Sequence, residues 1–236
     1  MATEEDFSYS NHSGRGQSLT LKLASLFLPG VRKIQRQIAP YAEAWMAVNT
    51  KALRANGPLW VVLGDSMSQG VGASAFDKGW VGQLRDILAA RGMEYRIVNL
   101  SISGARTEDV LELQLPAMWR LGLKPDLVTV LIGANNISRS KHRRHIVNDL
   151  EQLVERLPSG TIIGSITGTS AEARRANALL AEQIDKRHFA IADMNYAFRP
   201  PTKARISEDL YHPNDLGYAE IAKVFADAIK RQYSGK

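Results

Sequence analysis

Residues 59–66 read Leu-Trp-Val-Val-Leu-Gly-Asp-Ser, which is five apolar residues followed by a glycine and two polar side chains. A short apolar run that is closed by a glycine turn predicts a buried strand. Ser66 is thereby placed at the carboxyl end of a strand, where open α/β sheets bind their ligands. Its hydroxyl is either a nucleophile that needs a base or a hydrogen-bond donor for a phosphate.

Downstream of this stretch, strand patterns alternate with helical patterns. The alternation predicts an α/β fold in which a parallel sheet is covered by helices on both faces. Thr107 is expected to cap the helix that it begins, with Glu108 and Asp109 in the first turn. The predicted strands are residues 59–63, 96–100, 127–132, 161–166 and 189–194, and the predicted helices are 80–91, 107–121, 143–157, 171–187 and about 215–232.

The N-terminal region differs from the rest of the chain. Residues 1–18 are polar and rich in Ser and Gly, which predicts a disordered tail. Residues 19–57 are predicted to form a helical extension, which Pro40 is expected to kink or divide. Two interpretations of residues 19–53 stay open: a basic amphipathic segment that lies on a membrane surface, and helices that pack against the domain. The basic residues of this region include Lys22, Arg32, Lys33 and Arg36.

Composition sets broad limits on the class of protein. The 236 residues are 44% apolar and 23% charged, as in an ordinary globular protein, and residues 58–236 are expected to form one domain. A net charge of +6 is compatible with anionic lipid, nucleic acid or acidic substrates and favours none of them. The absence of cysteine excludes disulfides and thiolate catalysis. The start of the sequence is acidic and no apolar run is long enough to span a membrane, so a cytoplasmic location is expected, with membrane-surface contact left open.

Polar residues that could support chemistry occur in four segments. A serine becomes a nucleophile when a histidine removes its proton and a carboxylate orients the imidazole. Asp209 and His212 are three residues apart on one predicted loop, so they can meet locally. The N–H of Gly104 and the amide of Asn135 are candidate donors to an oxyanion, because these residues follow the two strands expected to flank the first. The segments are Gly64-Asp65-Ser66, Ser103-Gly104, Gly133-Ala134-Asn135-Asn136 and Asp209-Leu210-Tyr211-His212.

Taken together, the four segments resemble the SGNH hydrolases, also called GDSL esterases and lipases, over roughly residues 58–232. The resemblance implies that Ser66 is the nucleophile, His212 the general base and Asp209 its partner. It also implies an oxyanion hole made by the backbone N–H groups of Ser66 and Gly104 and the side-chain amide of Asn135. The implied fold is a three-layer, flavodoxin-like sandwich with a five-stranded parallel sheet of order 2-1-3-4-5.

The function implied by the resemblance is a serine esterase that hydrolyses carboxylic esters of small molecules or lipids, with no metal, no cofactor and no nucleic-acid partner. One departure is visible, because Asn136 stands where the family's third block has aspartate. Three alternatives stay open. They are an acyltransferase of the same fold, a catalytically silent binder of lipid or glycan, and a flavodoxin-like module whose loop 64–72 binds the phosphate of a nucleotide.

A basic stretch follows the third segment closely. It is interpreted either as a collar for an anionic group of the substrate or as the solvated start of a helix. His142 and His145 are spaced so that they could share a metal, but no nearby carboxylate completes a set of ligands. The basic residues are Arg139, Lys141, Arg143 and Arg144.

Overall fold

The computed structural model describes residues 9–14, 27–200 and 202–234. Five strands pair in parallel in the order β2-β1-β3-β4-β5, so the predicted sheet and its order are confirmed. The last two strands begin one residue later and end two residues earlier than predicted. The strands are β1 (Leu59–Gly64), β2 (Arg96–Asn99), β3 (Leu127–Leu131), β4 (Ile162–Gly164) and β5 (Ala190–Ala192).

Helices connect and flank the strands. They are α1 (Pro29–Gln35), α2 (Ile38–Arg54), α3 (Ser66–Gln69), α4 (Trp80–Ala89), α5 (Thr107–Asp109), α6 (Leu115–Arg120), α7 (Ala134–Ile137), α8 (Ser140–Arg143), α9 (Ile146–Arg156), α10 (Ala171–Arg187), α11 (Met194–Ala197) and α12 (Asp215–Ser234). The helix predicted over 107–121 is α5 and α6 joined by a π-helical turn, Val110–Gln114. The turn precedes Pro116, which lacks the N–H that a regular helix would use at that position.

The sheet separates two hydrophobic cores. Leu59, Val61 and Leu63 of β1 point into one core, which contains buried residues of the 107–120 helical segment, α9 and α10. Trp60 and Val62 point into the other core, which contains buried residues of α4 and α12. Successive side chains of a strand face opposite sides, so β1 is apolar throughout because both of its faces are covered. This is the predicted three-layer arrangement.

The N-terminal helices pack against the domain. The chain turns at residues 36–37, and Pro40 lies in the first turn of α2, where its missing N–H is tolerated. Trp45 is buried and its Nε1 donates to the Gln69 carbonyl at 3.1 Å, while the Tyr41 hydroxyl donates to the Ala73 carbonyl at 3.0 Å. The apolar face of α2 is therefore occupied by the domain. Residues 19–26 of the predicted extension lie outside the described residues.

Part of the segment predicted to be a disordered tail is packed on the sheet edge. Within residues 1–18 the structure describes 9–14, and Asn11 there is fully buried. Its amide donates to the carbonyls of Asn99 and Ser101 at 2.9 and 2.8 Å. Because β2 is an edge strand, it and the chain beyond it leave backbone carbonyls that a polar segment can satisfy. Among the described residues, no helix is long and apolar enough to cross a membrane.

Candidate active site

The end of β1 places Ser66 at the carboxyl edge of the sheet. Gly64 has a φ of +155°, and a Cβ at this position would lie 2.4 Å from the Leu131 carbonyl oxygen, so only glycine fits. Asp65 then caps α3 by accepting the N–H of Met67 at 3.0 Å. Ser66 is consequently the first residue of a four-residue helix and is almost fully buried.

A glutamine that the sequence did not single out holds this strand end. Gln114 is fully buried in the π-helical turn, where its Oε1 accepts the N–H of Gly64 and its Nε2 donates to the carbonyl of Gly64, both at 2.8 Å. Both backbone groups of the last β1 residue are thus paired to one side chain. In the sequence Gln114 lies within a helical pattern, and only the π-helical geometry distinguishes it.

His212 links the Ser66 hydroxyl to the Asp209 carboxylate. The Ser66 Oγ lies 2.9 Å from His212 Nε2, and His212 Nδ1 lies 2.6 Å from Asp209 Oδ2. With the Nδ1 hydrogen donated to the carboxylate, Nε2 has a lone pair for the serine proton. Gly72 permits the approach of the histidine loop, because a Cβ there would lie 2.7 Å from the Cβ of His212.

Asp209 is held as a carboxylate by several donors. Its Oδ1 accepts the Ser207 hydroxyl at 2.7 Å and the N–H groups of Tyr211 and His212 at 3.0 Å each. Leu210 adopts a left-handed φ of +59° within this turn. Burial acts to raise the pKa of Asp209, but the hydrogen bond and charge of His212, together with the Ser207 hydroxyl, bring that pKa below its ordinary value. Asp209 is therefore ionised at neutral pH.

The candidate oxyanion donor Asn135 lies beside a second carboxylate, that of Asp65. Asn135 Nδ2 donates to the Ala105 carbonyl at 2.9 Å and lies 3.3 Å from Asp65 Oδ2. Gly104 is exposed, with a left-handed φ of +79°. Burial raises the pKa of Asp65 to about 6, opposed by the Met67 N–H and the charge of His212. The five candidate residues of the sequence are thus placed at one edge of the sheet.

Asn136 keeps an accepting role at the position where the family has aspartate. Its Oδ1 accepts the N–H of Thr107 at 3.0 Å and the Thr107 hydroxyl at 3.2 Å. Its Nδ2 is buried and has no hydrogen-bond partner among the described residues. The expectation that Thr107 caps its helix is wrong. The cap residue of α5 is Arg106, whose N–H donates to Asp109 at 2.7 Å, while the Thr107 hydroxyl is directed to Asn136.

The basic stretch after β3 is engaged largely with its own neighbourhood. Arg143 Nε donates to the Ile137 carbonyl at 2.9 Å, and Arg144 Nε donates to His145 at 2.8 Å. His142 faces the guanidinium of Arg106, and burial together with that charge lowers the pKa of His142. These contacts favour the solvated helix start over the anion collar. In the described part of the chain, no group of three or more potential metal ligands is found.

Comparison with known proteins points to one family. A model of the GDSL-like lipase/acylhydrolase family matches residues 62–220. Esterase TesA of Pseudomonas aeruginosa is 34% identical over 96 residues, which cover 41% of this chain and 46% of TesA. An arylesterase of Vibrio mimicus is 34% identical over 94 residues, which cover 40% of this chain and 46% of that protein. The chain thus aligns with about half the length of these two curated relatives.

Solved structures resemble the whole sandwich. The crystal structure of TesA matches with a TM-score of 0.63 at 21% identity, over 74% of this chain and 99% of that one. The psychrotrophic esterase EstA of Pseudoalteromonas sp. matches with a TM-score of 0.60 at 21% identity, over 74% and 98% of the two chains. At these identities the likeness establishes a common fold.

Proposed function

This chain belongs to the GDSL-like lipase/acylhydrolase family, and we propose that it hydrolyses carboxylic esters through an acyl-enzyme on Ser66. The observation that supports this best is the linked pair of contacts, 2.9 Å from Ser66 Oγ to His212 Nε2 and 2.6 Å from His212 Nδ1 to Asp209 Oδ2. The names of the two relatives at 34% identity, an esterase and an arylesterase, favour the same reaction class. In this proposal residues 58–236 are the catalytic domain and residues 19–57 an extension, while the boundary of the tail expected over 1–18 is moved to exclude the packed residues 9–14.

Acylation uses the two nitrogens of His212 for different tasks. Nε2 takes the Ser66 hydroxyl proton while Oγ forms a bond to the carbonyl carbon of the ester, which gives a tetrahedral oxyanion. The imidazolium then gives that proton to the leaving alkoxide as the carbon–oxygen bond breaks, so an alcohol departs. Asp209 keeps the Nδ1 hydrogen in place and stabilises the cation between these steps.

Deacylation repeats the sequence with water. His212 removes a proton from a water molecule, and the resulting hydroxide attacks the acyl carbon. When the second tetrahedral intermediate collapses, His212 returns the proton to Ser66 Oγ and the free acid is released. Ser66 supplies the proton that leaves with the alcohol, water supplies the proton that restores Ser66, and His212 transfers both.

Three donors are assigned to the oxyanion, namely the backbone N–H groups of Ser66 and Gly104 and the amide of Asn135. The Asn135 N–H that would donate a hydrogen bond to the oxyanion is the one directed at Asp65. In the substrate-free site, Asn135 Nδ2 lies 3.3 Å from Asp65 Oδ2. That contact is longer than an ordinary N–H···O hydrogen bond, so the donor is only weakly engaged before substrate binds.

The phosphate-binding alternative is poorly supported by the same geometry. A phosphate at the start of α3 would need free N–H groups, but the Asp65 carboxylate already accepts the Met67 N–H there. A buried acidic cap also repels an anion. A helix of four residues, moreover, has little dipole to offer.

Labelling with a fluorophosphonate tests the proposal directly. We expect the probe to label the wild-type chain and not Ser66→Ala, and we expect hydrolysis of p-nitrophenyl butyrate to be lost with the label. Ser68→Ala is a matched control, because Ser68 lies in the same helix, is buried, and has a hydroxyl without a hydrogen-bond partner among the described residues.

Two outcomes would overturn the assignment. Labelling that survives in Ser66→Ala would place the nucleophile elsewhere. Acyl transfer to an added alcohol with no release of free acid would make the chain an acyltransferase of the same fold, so the free acid should be quantified in the same assay.

A further inference from the structure

The segment 9–14 lies outside residues 62–220, the part of the chain that the family model matches, yet it borders the candidate site. The Tyr9 hydroxyl donates to the Leu100 carbonyl, and Asn11 Nδ2 donates to the carbonyls of Asn99 and Ser101. The segment therefore follows the chain that leaves β2 toward Gly104.

A buried amide network ties the segment to the candidate catalytic residues. The Asn11 carbonyl accepts Gln69 Nε2 at 2.9 Å, and Asn11 Oδ1 accepts Asn49 Nδ2 at 3.1 Å. Gln69 is the last residue of the helix that Ser66 begins, and its Oε1 accepts the hydroxyl of Ser103 at 2.5 Å. Moving the segment away would leave these buried polar groups unpaired, which is costly. The network therefore holds the segment in place.

Between this segment and residues 102–105 lies a cavity of about 320 Å³. That volume falls within the range of small-molecule sites, about 300–1,000 Å³. Gly104, the assigned oxyanion donor, forms part of its lining. The side chains that matter for recognition are Tyr9, His12 and Ser13 on the N-terminal wall and Ile102 and Leu113 on the opposite wall.

We propose that this cavity binds the acyl group of the substrate and that residues 9–14 form its outer wall. The assignment rests on the proposed ester hydrolysis. The leaving oxygen must face His212 Nε2 to receive its proton, whereas the carbonyl oxygen must face the N–H of Gly104. The cavity adjoins Gly104, and none of its lining residues comes from the loop that contains His212. The acyl substituent, not the alcohol, lies on this side.

The lining favours an apolar alkyl or aryl acyl group. Tyr9, Ile102 and Leu113 present apolar surface. Two charged residues also line the cavity, but the Asp109 carboxylate accepts the N–H of Arg106, and Arg120 is exposed to solvent. A charged acyl group would therefore find no buried, unengaged counter-charge.

An acyl-length series tests the proposal. We expect Leu113→Trp to narrow the cavity and to lower the ratio of kcat/KM for p-nitrophenyl octanoate to that for p-nitrophenyl acetate about tenfold, equivalent to about 1.4 kcal/mol. His12→Trp should shift the ratio in the same direction from the N-terminal wall. Ile184→Trp is the matched control, because Ile184 is also half-exposed on a helix but does not line the cavity.

The acyl-site proposal and the assignment of Ser66 as nucleophile can be tested independently. An equal loss of kcat/KM for every acyl length would overturn the acyl assignment. A change in kcat/KM that appears only among acetate esters of different alcohols would also overturn it, because the cavity would then bind the alcohol. A shift in Leu113→Trp with none in His12→Trp would overturn the role of the segment. Fluorophosphonate labelling of Ser66 reports independently on the proposed function, so its failure is distinguishable from a wrong acyl site.

Discussion

Asp65 at the end of β1 and Asp209 on the loop before His212 are two carboxylates of one site whose pKa values move in opposite directions. Asp209 accepts four hydrogen bonds, from Ser207, from the backbone of Tyr211 and from the backbone and ring of His212. Asp65 accepts one backbone N–H and a longer contact from Asn135. Burial dominates at Asp65 and raises its pKa to about 6, whereas the donors dominate at Asp209 and lower its pKa.

The difference shows that burial alone does not decide how a carboxylate behaves. The number of donors directed at its oxygens decides whether the ion is stabilised. Asp209 is suited to remain charged beside an imidazole that becomes a cation. Asp65 lowers the stability of the fold whenever it is ionised, and it is nonetheless placed directly before the nucleophile. Two carboxylates separated in this way can serve different roles at one site.

The largest effect, on catalysis, should follow from neutralising Asp209. In Asp209→Asn the side chain can no longer hold the Nδ1 hydrogen of His212, so the wrong tautomer is favoured and kcat should fall about 10⁴-fold. The measurement is steady-state hydrolysis of p-nitrophenyl butyrate. Glu208→Gln is the control, since Glu208 is the adjacent carboxylate but is exposed and pairs with Lys33.

A loss below about tenfold in Asp209→Asn would mean that His212 does not depend on this carboxylate for its orientation. The 2.6 Å contact between His212 Nδ1 and Asp209 Oδ2 would then stabilise the loop without contributing to catalysis.

A smaller effect, on stability, should follow from neutralising Asp65. An unfolded aspartate titrates near 3.9, so a folded pKa of about 6 means that the folded state binds the proton more tightly. The contribution of Asp65 to stability is therefore present at low pH and lost as the pH rises through about 6. Relative to wild type, Asp65→Asn should gain about 2 kcal/mol of unfolding free energy between about pH 4 and pH 7.

Urea unfolding of both proteins at a series of pH values measures this difference. Any constant cost of the amide to the helix cap cancels, because only the change with pH is compared. A difference that is flat with pH would show that the Asp65 carboxylate is not perturbed by burial.

The two carboxylates also illustrate which features of the site can be predicted from the sequence and which depend on the folded structure. The alternation of strand and helix patterns predicts the parallel sheet, and four polar segments, beginning with Gly64-Asp65-Ser66, indicate the candidate residues. The strand order is implied by the family resemblance that these segments show. The same residues do not reveal the pKa of Asp65, because that depends on burial from several elements. Gln114 was hidden in a helical pattern, and Asn11 lay in a stretch whose composition predicts disorder. Both act through long-range hydrogen bonds that no local pattern encodes.

The smallest effect should come from removing one of the hydrogen-bond donors to the Asp209 carboxylate, so that its surroundings become more like those of Asp65. Ser207→Ala removes one charge-assisted donor, which should cost about 1–2 kcal/mol of unfolding free energy at neutral pH and lower kcat/KM less than about tenfold, because the other donors remain. Since the folded pKa of Asp209 is depressed, its contribution is present above the unfolded pKa and lost as the pH falls, so the deficit should shrink below about pH 4. Ser159→Ala is the control, because its hydroxyl donates to the neutral carbonyl of Arg187. A Ser207→Ala deficit that is the same at all pH values would mean that the hydroxyl supports the loop without stabilising the charge of Asp209.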